Sequence, residues 1–135
     1  MDRFDEEIEN WCYQCIGAAI EVHRHLGPGH PEIVYENAMA KELTLRGIPF
    51  ERQKVIPIFY KEEKMGEGRV DFFVAGRLII ELKSVSEIIR RHKGQTGYYL
   101  SSIKEPLGLL INFNVVTLKD GGIHRVIQSD LTQYQ

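Results

Sequence analysis

The stretch RVDFFVAGRLIIELKS, residues 69–84, most constrains the fold because it places charges inside two apolar runs. Its β-branched and aromatic residues predict two core strands joined by a short turn. Asp71 stands in the first run, and Glu81 and Lys83 stand near the end of the second. Burying an ionised group is costly unless it is paired, hydrogen-bonded or bound to a metal. The hairpin must therefore hold these charges in a polar site.

The turn of this hairpin determines whether the two acids can act together. Residues directly opposite each other in an antiparallel pair project to the same face, so a two-residue turn at residues 75–76 would send Asp71 and Glu81 to opposite faces. A three-residue turn at residues 74–76 would pair Asp71 with Ile79 and leave Glu81 as a diagonal neighbour on the same face. We predict this odd-length turn, or a bulge with the same effect.

Helical patterns account for three further segments. Apolar residues recur at helical spacing over residues 5–26 and predict the first helix. A second helix is predicted from Pro31 to Gly47, because proline suits the first position of a helix and glycine suits the position after its end. The pattern SVSE, residues 84–87, predicts a capping box that starts a third helix ending near Leu100.

The remaining apolar segments predict strands. IPFERQKVIPIFYKEE gives one strand before the hairpin, in which Pro57 indicates a sheet edge or a bulge, and KEEKMGEG gives the turn between them. The strand with Glu81 has apolar residues on both faces, which is typical of a central strand. LGLLINF and GGIHRVI give the last two strands. The order α-α-β-β-β-α-β-β describes an α/β fold, a mixed central β-sheet flanked by helices.

Length and composition predict one domain, residues 1–135, with a core that needs no disulfide or structural metal. The N-terminal residues do not resemble a secretion signal and no apolar run could span a bilayer, so we expect a cytoplasmic protein without membrane contact. Cys12 and Cys15 form a C-x-x-C, which also occurs in redox and zinc sites, but their helical spacing among apolar residues favours core cysteines. The net charge of −2 gives no sign of a nucleic-acid binder.

Asp71, Glu81 and Lys83 make chemical sense together if a hard cation lies between the acids. Mg²⁺ takes oxygen ligands, commonly one or two carboxylates with water and phosphate oxygens, and Mn²⁺ suits the same donors. The metal would polarise a phosphodiester and activate a water, while Lys83 would position that water or stabilise charge on the phosphate. The alternative is a structural ion pair between Lys83 and one of the acids.

Two helices supply further candidates. Glu32 and Glu36 lie one turn apart on the second helix, either as additional metal ligands or as acids that favour a helix N-terminus. On the third helix, His92 and Gln95 are predicted to point where the core-facing Ile88 points, although His92 taken alone is better explained as a core histidine.

A series of motifs covers most of the chain, from about Glu21 to Val126. GHPEIVYE holds Gly29, Glu32 and Tyr35 at G-x-x-E-x-x-Y spacing and is followed by KELTLRGIPFERQ, RVDFFV, IIELKS and GLLINFNV. In order and spacing these motifs resemble the GxxExxY protein family, which is placed in the PD-(D/E)XK nuclease superfamily. The resemblance implies a restriction-endonuclease-like core.

The resemblance also implies roles for single residues. The superfamily's metal-binding aspartate matches Asp71, its second acidic ligand matches Glu81, and its catalytic lysine matches Lys83. The proline that usually precedes the aspartate is replaced by Val70.

The helix-borne residues of the superfamily match less uniquely. Its glutamate matches Glu32 by the GxxExxY signature, or Glu36 by the spacing to the glycine that ends the helix. Gln95 matches a glutamine often found on the helix after the E-x-K strand.

The function implied is a Mg²⁺-dependent nuclease, with Mn²⁺ as a possible substitute and DNA as the expected substrate. Arg90, Arg91 and Lys93 on the third helix are predicted to hold phosphates, although a solvated helix face explains them equally well. The alternative function is a non-catalytic nuclease-fold module that binds nucleic acid or a protein partner. One catalytic centre cuts one strand, so cleavage of both strands would most simply use a homodimer.

Overall fold

The computed structural model describes residues 5–128 and confirms the predicted α/β fold within them. The described part contains three helices and five strands in the predicted order. The helices are α1 (Glu6–Leu26), α2 (Glu32–Leu45) and α3 (Arg90–Ile103); the strands are β1 (Phe50–Tyr60), β2 (Glu63–Val74), β3 (Leu78–Lys83), β4 (Leu107–Asn112) and β5 (Ile123–Ile127).

The strands form one mixed sheet in the order β1-β2-β3-β4-β5. β3 and β4 are parallel and are joined through α3, whereas the other neighbouring pairs are antiparallel. β3 is the central strand, as predicted, and β1 lies at an edge, where Pro57 is tolerated because a proline cannot donate to a strand ladder. The β1–β2 register shifts next to it, between Ile58 and Phe59.

Helices cover both faces of the sheet, so β3 is buried on both sides. Leu78, Ile80 and Leu82 pack with α1 and α2 in the larger core cluster, while Ile79 packs with α3 in the smaller one. The predicted alternation along β3 is therefore confirmed. Cys12 and Cys15 are free and buried in the larger cluster, which confirms two core cysteines.

The turn between β2 and β3 has three residues, which confirms the predicted odd length. Its position differs by one residue, because Val74 pairs with Leu78 and the turn consists of residues 75–77. The φ angle is 54° at Ala75 and 69° at Gly76, so two residues adopt the left-handed conformation. This register places Asp71 directly opposite Glu81 rather than diagonal to it.

Two predicted boundaries are wrong: the start of the third helix and the extent of the turn after the first strand. Residues 84–87 do not cap a helix, because Asn112 binds the backbone of Val85 at both N–H (3.1 Å) and C=O (2.9 Å) and holds this segment as a loop. α3 begins at Arg90, and its first turn is capped by His92, whose Nδ1 accepts from the Ile89 N–H at 3.1 Å.

The KEEKMGEG segment is mostly strand. Only Lys61 and Glu62 form the turn, with φ angles of 48° and 68°, and β2 begins at Glu63. Such tight hairpin turns usually carry asparagine or glycine at these positions, so the sequence gives no signal for this one. Within residues 5–128 no helix combines the length and apolar character needed to cross a membrane.

Candidate active site

Asp71 and Glu81 are held side by side by each other's strand. The Asp71 N–H donates to Glu81 Oε1 at 2.8 Å, and the Leu82 N–H donates to Asp71 Oδ2 at 2.7 Å. These two bonds replace backbone ladder bonds at the point where the regular β2–β3 pairing ends, at Phe72 and Ile80. The hairpin therefore fixes two carboxylates next to each other where the pairing of two central strands ends.

Burial raises the pKa of both carboxyl groups. Glu81 is only 6% exposed, and burial together with repulsion from Asp71 raises its pKa to about 8. Burial also raises the pKa of Asp71, although hydrogen bonds from Leu82 and Gln53 act in the opposite direction. A buried acid and a half-buried acid that repel each other form a site that a cation would stabilise.

Gln53 is a site residue that the sequence reasoning missed. Its Nε2 donates to Asp71 Oδ1 at 3.0 Å, so both oxygens of Asp71 accept hydrogen bonds. The sequence places Gln53 in a strand of alternating polar and apolar residues, and nothing in that pattern signals its partner. Its φ angle of 56° lies in the left-handed region and departs locally from the strand conformation.

Lys83 follows Glu81 on the same face of β3 and carries the nearest positive charge on that strand. Its charge lowers the pKa of Asp71, Glu81 and Glu32, each against a larger effect of burial. Among the described residues, however, no carboxylate lies within 4.0 Å of its ammonium group. The alternative of a structural ion pair is therefore not seen, and the ammonium group is available to a substrate.

The first turn of α2 brings Glu32 and Glu36 towards this pair, but the two acids differ. Glu36 is buried and forms an ion pair with Arg52, whose Nε lies 2.7 Å from Glu36 Oε2. Glu32 is exposed and forms no such pair with any residue from 5 to 128. Partial desolvation raises its pKa, the charge of Lys83 lowers it, and Asp71 raises it further. Of the two acids, Glu32 is the one without a basic partner.

Tyr35 links the start of α2 to the end of β3. Its hydroxyl donates to the Gly27 carbonyl and accepts from the His30 N–H, and its ring stacks on Phe113 at 4.5 Å between centroids. The His30 carbonyl in turn accepts from Ser84 Oγ at 2.7 Å. The tyrosine of the G-x-x-E-x-x-Y motif therefore fixes the loop that presents Glu32.

Gln95 is not brought into contact with the acids. Because α3 begins at Arg90, Ile88 lies outside the helix, so the predicted stripe through Ile88, His92 and Gln95 is wrong. Gln95 is exposed and forms no hydrogen bond to Asp71 or Glu81.

Basic side chains lie on α3 near its N-terminus. Arg90 and Arg91 are exposed, and Lys93 is half-buried. Arg90 and Arg91 line a shallow surface pocket together with Gly94 and Gln95. The first turn of α3 therefore presents positive charge and an amide to solvent.

The donor set of the site fits a hard cation. All of its acidic atoms are carboxylate oxygens, the ligands preferred by Mg²⁺ and Mn²⁺, and the described residues place no cysteine beside them. Within residues 5–128, no three His, Cys, Asp or Glu side chains are grouped so that they could hold an ion by themselves. Mg²⁺ usually binds through one or two carboxylates and completes its shell with water and phosphate oxygens, which the pair formed by Asp71 and Glu81 allows.

The family model described as the PD-(D/E)XK nuclease superfamily matches residues 9–126. The chain belongs to this superfamily. The mixed five-stranded sheet with flanking helices is accordingly the restriction-endonuclease-like fold. A search of curated proteins gives no match.

Membership of the PD-(D/E)XK superfamily indicates a nuclease-type activity on nucleic acid. Enzymes of this superfamily generally use divalent metals, which agrees with the oxygen donors described above.

Proposed function

We propose that this chain is a Mg²⁺-dependent nuclease of the GxxExxY type that hydrolyses phosphodiester bonds in DNA. The observation that carries the proposal is the position of Asp71 directly opposite Glu81, with each carboxylate held by the other strand's backbone. Lys83 lies on the same face of the sheet. The residues 1–135 are proposed to act as one nuclease domain.

Asp71 and Glu81 would hold the metal, and Glu32, which is not grouped with them as a third direct ligand, would be the further acid from α2 beside the site. When bound, a divalent ion supplies Lewis acidity and lowers the pKa of a water molecule, and it offsets the repulsion between the two acids. The Asp71 and Leu82 amides keep the carboxylates in place, so little reorganisation is needed on binding.

Lys83 and the first turn of α3 would act on the nucleic acid. The Lys83 ammonium group has no carboxylate within 4.0 Å among the described residues, so it can donate to a phosphate oxygen or orient a water. Arg90, Arg91 and Lys93 would bind neighbouring phosphates, which act as acceptors for charged donors regardless of base sequence.

A cleavage screen tests this proposal. Wild-type protein is incubated with duplex, single-stranded and branched DNA and with RNA, in Mg²⁺, in Mn²⁺ and in EDTA. We expect metal-dependent cleavage of at least one DNA form and its loss in Asp71→Asn, which keeps an acceptor for the Leu82 N–H but lacks the charge.

Glu42→Gln is the matched control. Glu42 pairs with Arg46 near the end of α2, about three turns from Glu32, and its loss should leave cleavage unchanged. Nucleic-acid binding without any cleavage would contradict the enzyme and favour the non-catalytic module.

A further inference from the structure

The backbone of β1 is interrupted opposite the acidic pair. Arg52 pairs with Phe72 and Lys54 pairs with Val70, but Gln53, between them, is not paired in the ladder with Asp71. Its φ angle of 56° lies in the left-handed region, which is uncommon for a residue other than glycine and costs on the order of 1 kcal/mol or more. Such a conformation persists only where the surrounding structure enforces it.

The interrupted segment of β1 makes two contacts with acids near the site. In a regular strand, neighbouring side chains project to opposite faces. Here Arg52 and Gln53 both reach acids of the site: Arg52 Nε lies 2.7 Å from Glu36 Oε2, and Gln53 Nε2 lies 3.0 Å from Asp71 Oδ1. One edge strand therefore contacts an acid from α2 and an acid from β2.

The bond from Gln53 completes the support of Asp71. One oxygen of that carboxylate accepts from the Leu82 N–H and the other accepts from the Gln53 amide, so the plane of the group is defined from both sides. An amide donor orients a carboxylate without adding a charge that would compete with a cation. An arginine at this place would instead form an ion pair, as Arg52 does with Glu36.

We propose that Gln53 is a positioning residue that sets the orientation of the Asp71 carboxylate for metal binding, and that the left-handed backbone at Gln53 serves to deliver its amide. The inference rests on the proposed function, since it concerns the same acidic pair. Groups that support a ligand without touching the metal typically contribute a factor of about 10 to 100 in metal affinity.

Two substitutions separate the amide from the backbone strain. Gln53→Leu removes the donor and keeps the bulk, whereas Gln53→Gly removes the donor and also relieves the left-handed conformation, which protects the fold. We expect calorimetric titration with Mn²⁺ to show an affinity lowered by about tenfold or more in both variants. We also expect the amide resonance of Leu82 to shift, because its N–H is bonded to the carboxylate that loses support.

Lys61→Gly is the matched control. Lys61 has a φ angle of 48° in the β1–β2 turn and no role at the acids, so this substitution relieves similar strain and should leave Mn²⁺ affinity and the Leu82 resonance unchanged.

The outcomes distinguish this inference from the proposed function. Wild-type Mn²⁺ affinity in both Gln53 variants would overturn the positioning role. If the wild-type protein itself binds no Mn²⁺, the proposed function fails, and the positioning role of Gln53 is then tested by the Leu82 amide resonance alone. A shift of this resonance in Gln53→Leu supports the positioning role, and an unshifted resonance overturns it.

Discussion

At the scale of single residues, the hydrogen bonds to Asp71 and Glu81 do not fully offset the free energy of removing these carboxylates from water. A hydrogen bond to a charged group contributes about 1.5–3 kcal/mol, whereas removing an ion from water costs several kcal/mol even after relaxation. The bonds to Asp71 and Glu81 therefore orient the carboxylates but leave them partly uncompensated, which is why burial raises both pKa values. A divalent cation is the natural compensation.

The first prediction concerns stability and pH in the metal-free protein. The pKa of Glu81 rises from an ordinary 4.5 to about 8 on folding, so between these values the folded chain binds more protons than the unfolded chain. The free energy of unfolding should therefore fall as pH rises through this window. The decrease should be on the order of a few kcal/mol, since one pKa unit corresponds to about 1.4 kcal/mol.

Urea unfolding in EDTA at about pH 5 and about pH 8 measures this effect. Glu81→Gln should lose Glu81's share of the pH dependence, and Glu42→Gln should keep it. An equal pH dependence in Glu81→Gln and the wild type would show that this carboxyl group titrates normally.

The second prediction separates Lys83 from the metal ligands. Lys83→Met should lower the cleavage rate by roughly 10²–10³-fold, the usual effect of removing a group that stabilises transition-state charge. Metal affinity should not fall, because removing a positive charge near the acids cannot weaken the binding of a cation. Single-turnover assays and Mn²⁺ calorimetry on the same preparation test both parts; unchanged turnover would contradict the role.

At the scale of secondary-structure elements, α2 presents two acids with different surroundings. Glu36 is neutralised by Arg52, while Tyr35 and the Gly27–His30 loop fix the helix start that carries Glu32. Sequence spacing leaves open whether Glu32 or Glu36 is the active-site acid of α2, and from this difference we predict that it is Glu32.

The third prediction follows from that difference. Glu32→Ala should lower cleavage in Mn²⁺ by at least about tenfold with little change in stability, since an exposed side chain is removed. Glu36→Ala should act mainly on stability, by about 1–3 kcal/mol, because it leaves Arg52 with the neutral Asn37 but without its carboxylate partner. Full activity of both variants would mean that α2 takes no direct part in the site.

The sequence predicts helices and strands well where one periodic pattern of apolar residues dominates. It predicts them less well where side-chain hydrogen bonds to the backbone determine the local structure. The alternation in β3 and the need for Asp71 and Glu81 to share a face were sufficient to predict an odd-length turn. The start of α3 was missed because Asn112, distant in sequence, binds Val85 and holds the preceding loop. Tertiary contacts of this kind leave no local signal.

The same limit applies to the site. Its acids and lysine are recognisable because charges in core strands are rare. Gln53 was missed because its role depends on a contact with Asp71 of the neighbouring strand, and a polar residue in a strand gives no local sign of such a partner.

At the scale of the whole molecule, acidic and basic side chains gather at different places, although the net charge is only −2. Acids gather where the β2–β3 pairing ends and at the start of α2, and the first turn of α3 presents basic side chains. A cation at the acids would leave a surface that attracts phosphates, which reconciles a slightly acidic chain with a nucleic-acid substrate.

The fourth prediction tests this surface. Arg91→Ala should weaken DNA binding similarly for all sequences and reduce the slope of log affinity against log salt by about one. Arg24→Ala is the control, because Arg24 is also exposed but lies at the end of α1 and pairs with Glu21. Fluorescence anisotropy in Ca²⁺, across several salt concentrations, measures the slope, and equal slopes for the two variants would contradict a role for α3.

The most direct test of the central claim, that Asp71 and Glu81 share one cation, is calorimetric titration of Mn²⁺ into wild-type protein, Asp71→Ala and Glu81→Gln. We predict one site per chain in the wild type, no measurable binding in Asp71→Ala, and an affinity lowered by about tenfold or more in Glu81→Gln, where the shape is kept but the charge is lost. Glu42→Gln should bind like the wild type. Equal Mn²⁺ affinity in the wild type and Glu81→Gln would contradict the account, because the acidic pair would then be structural.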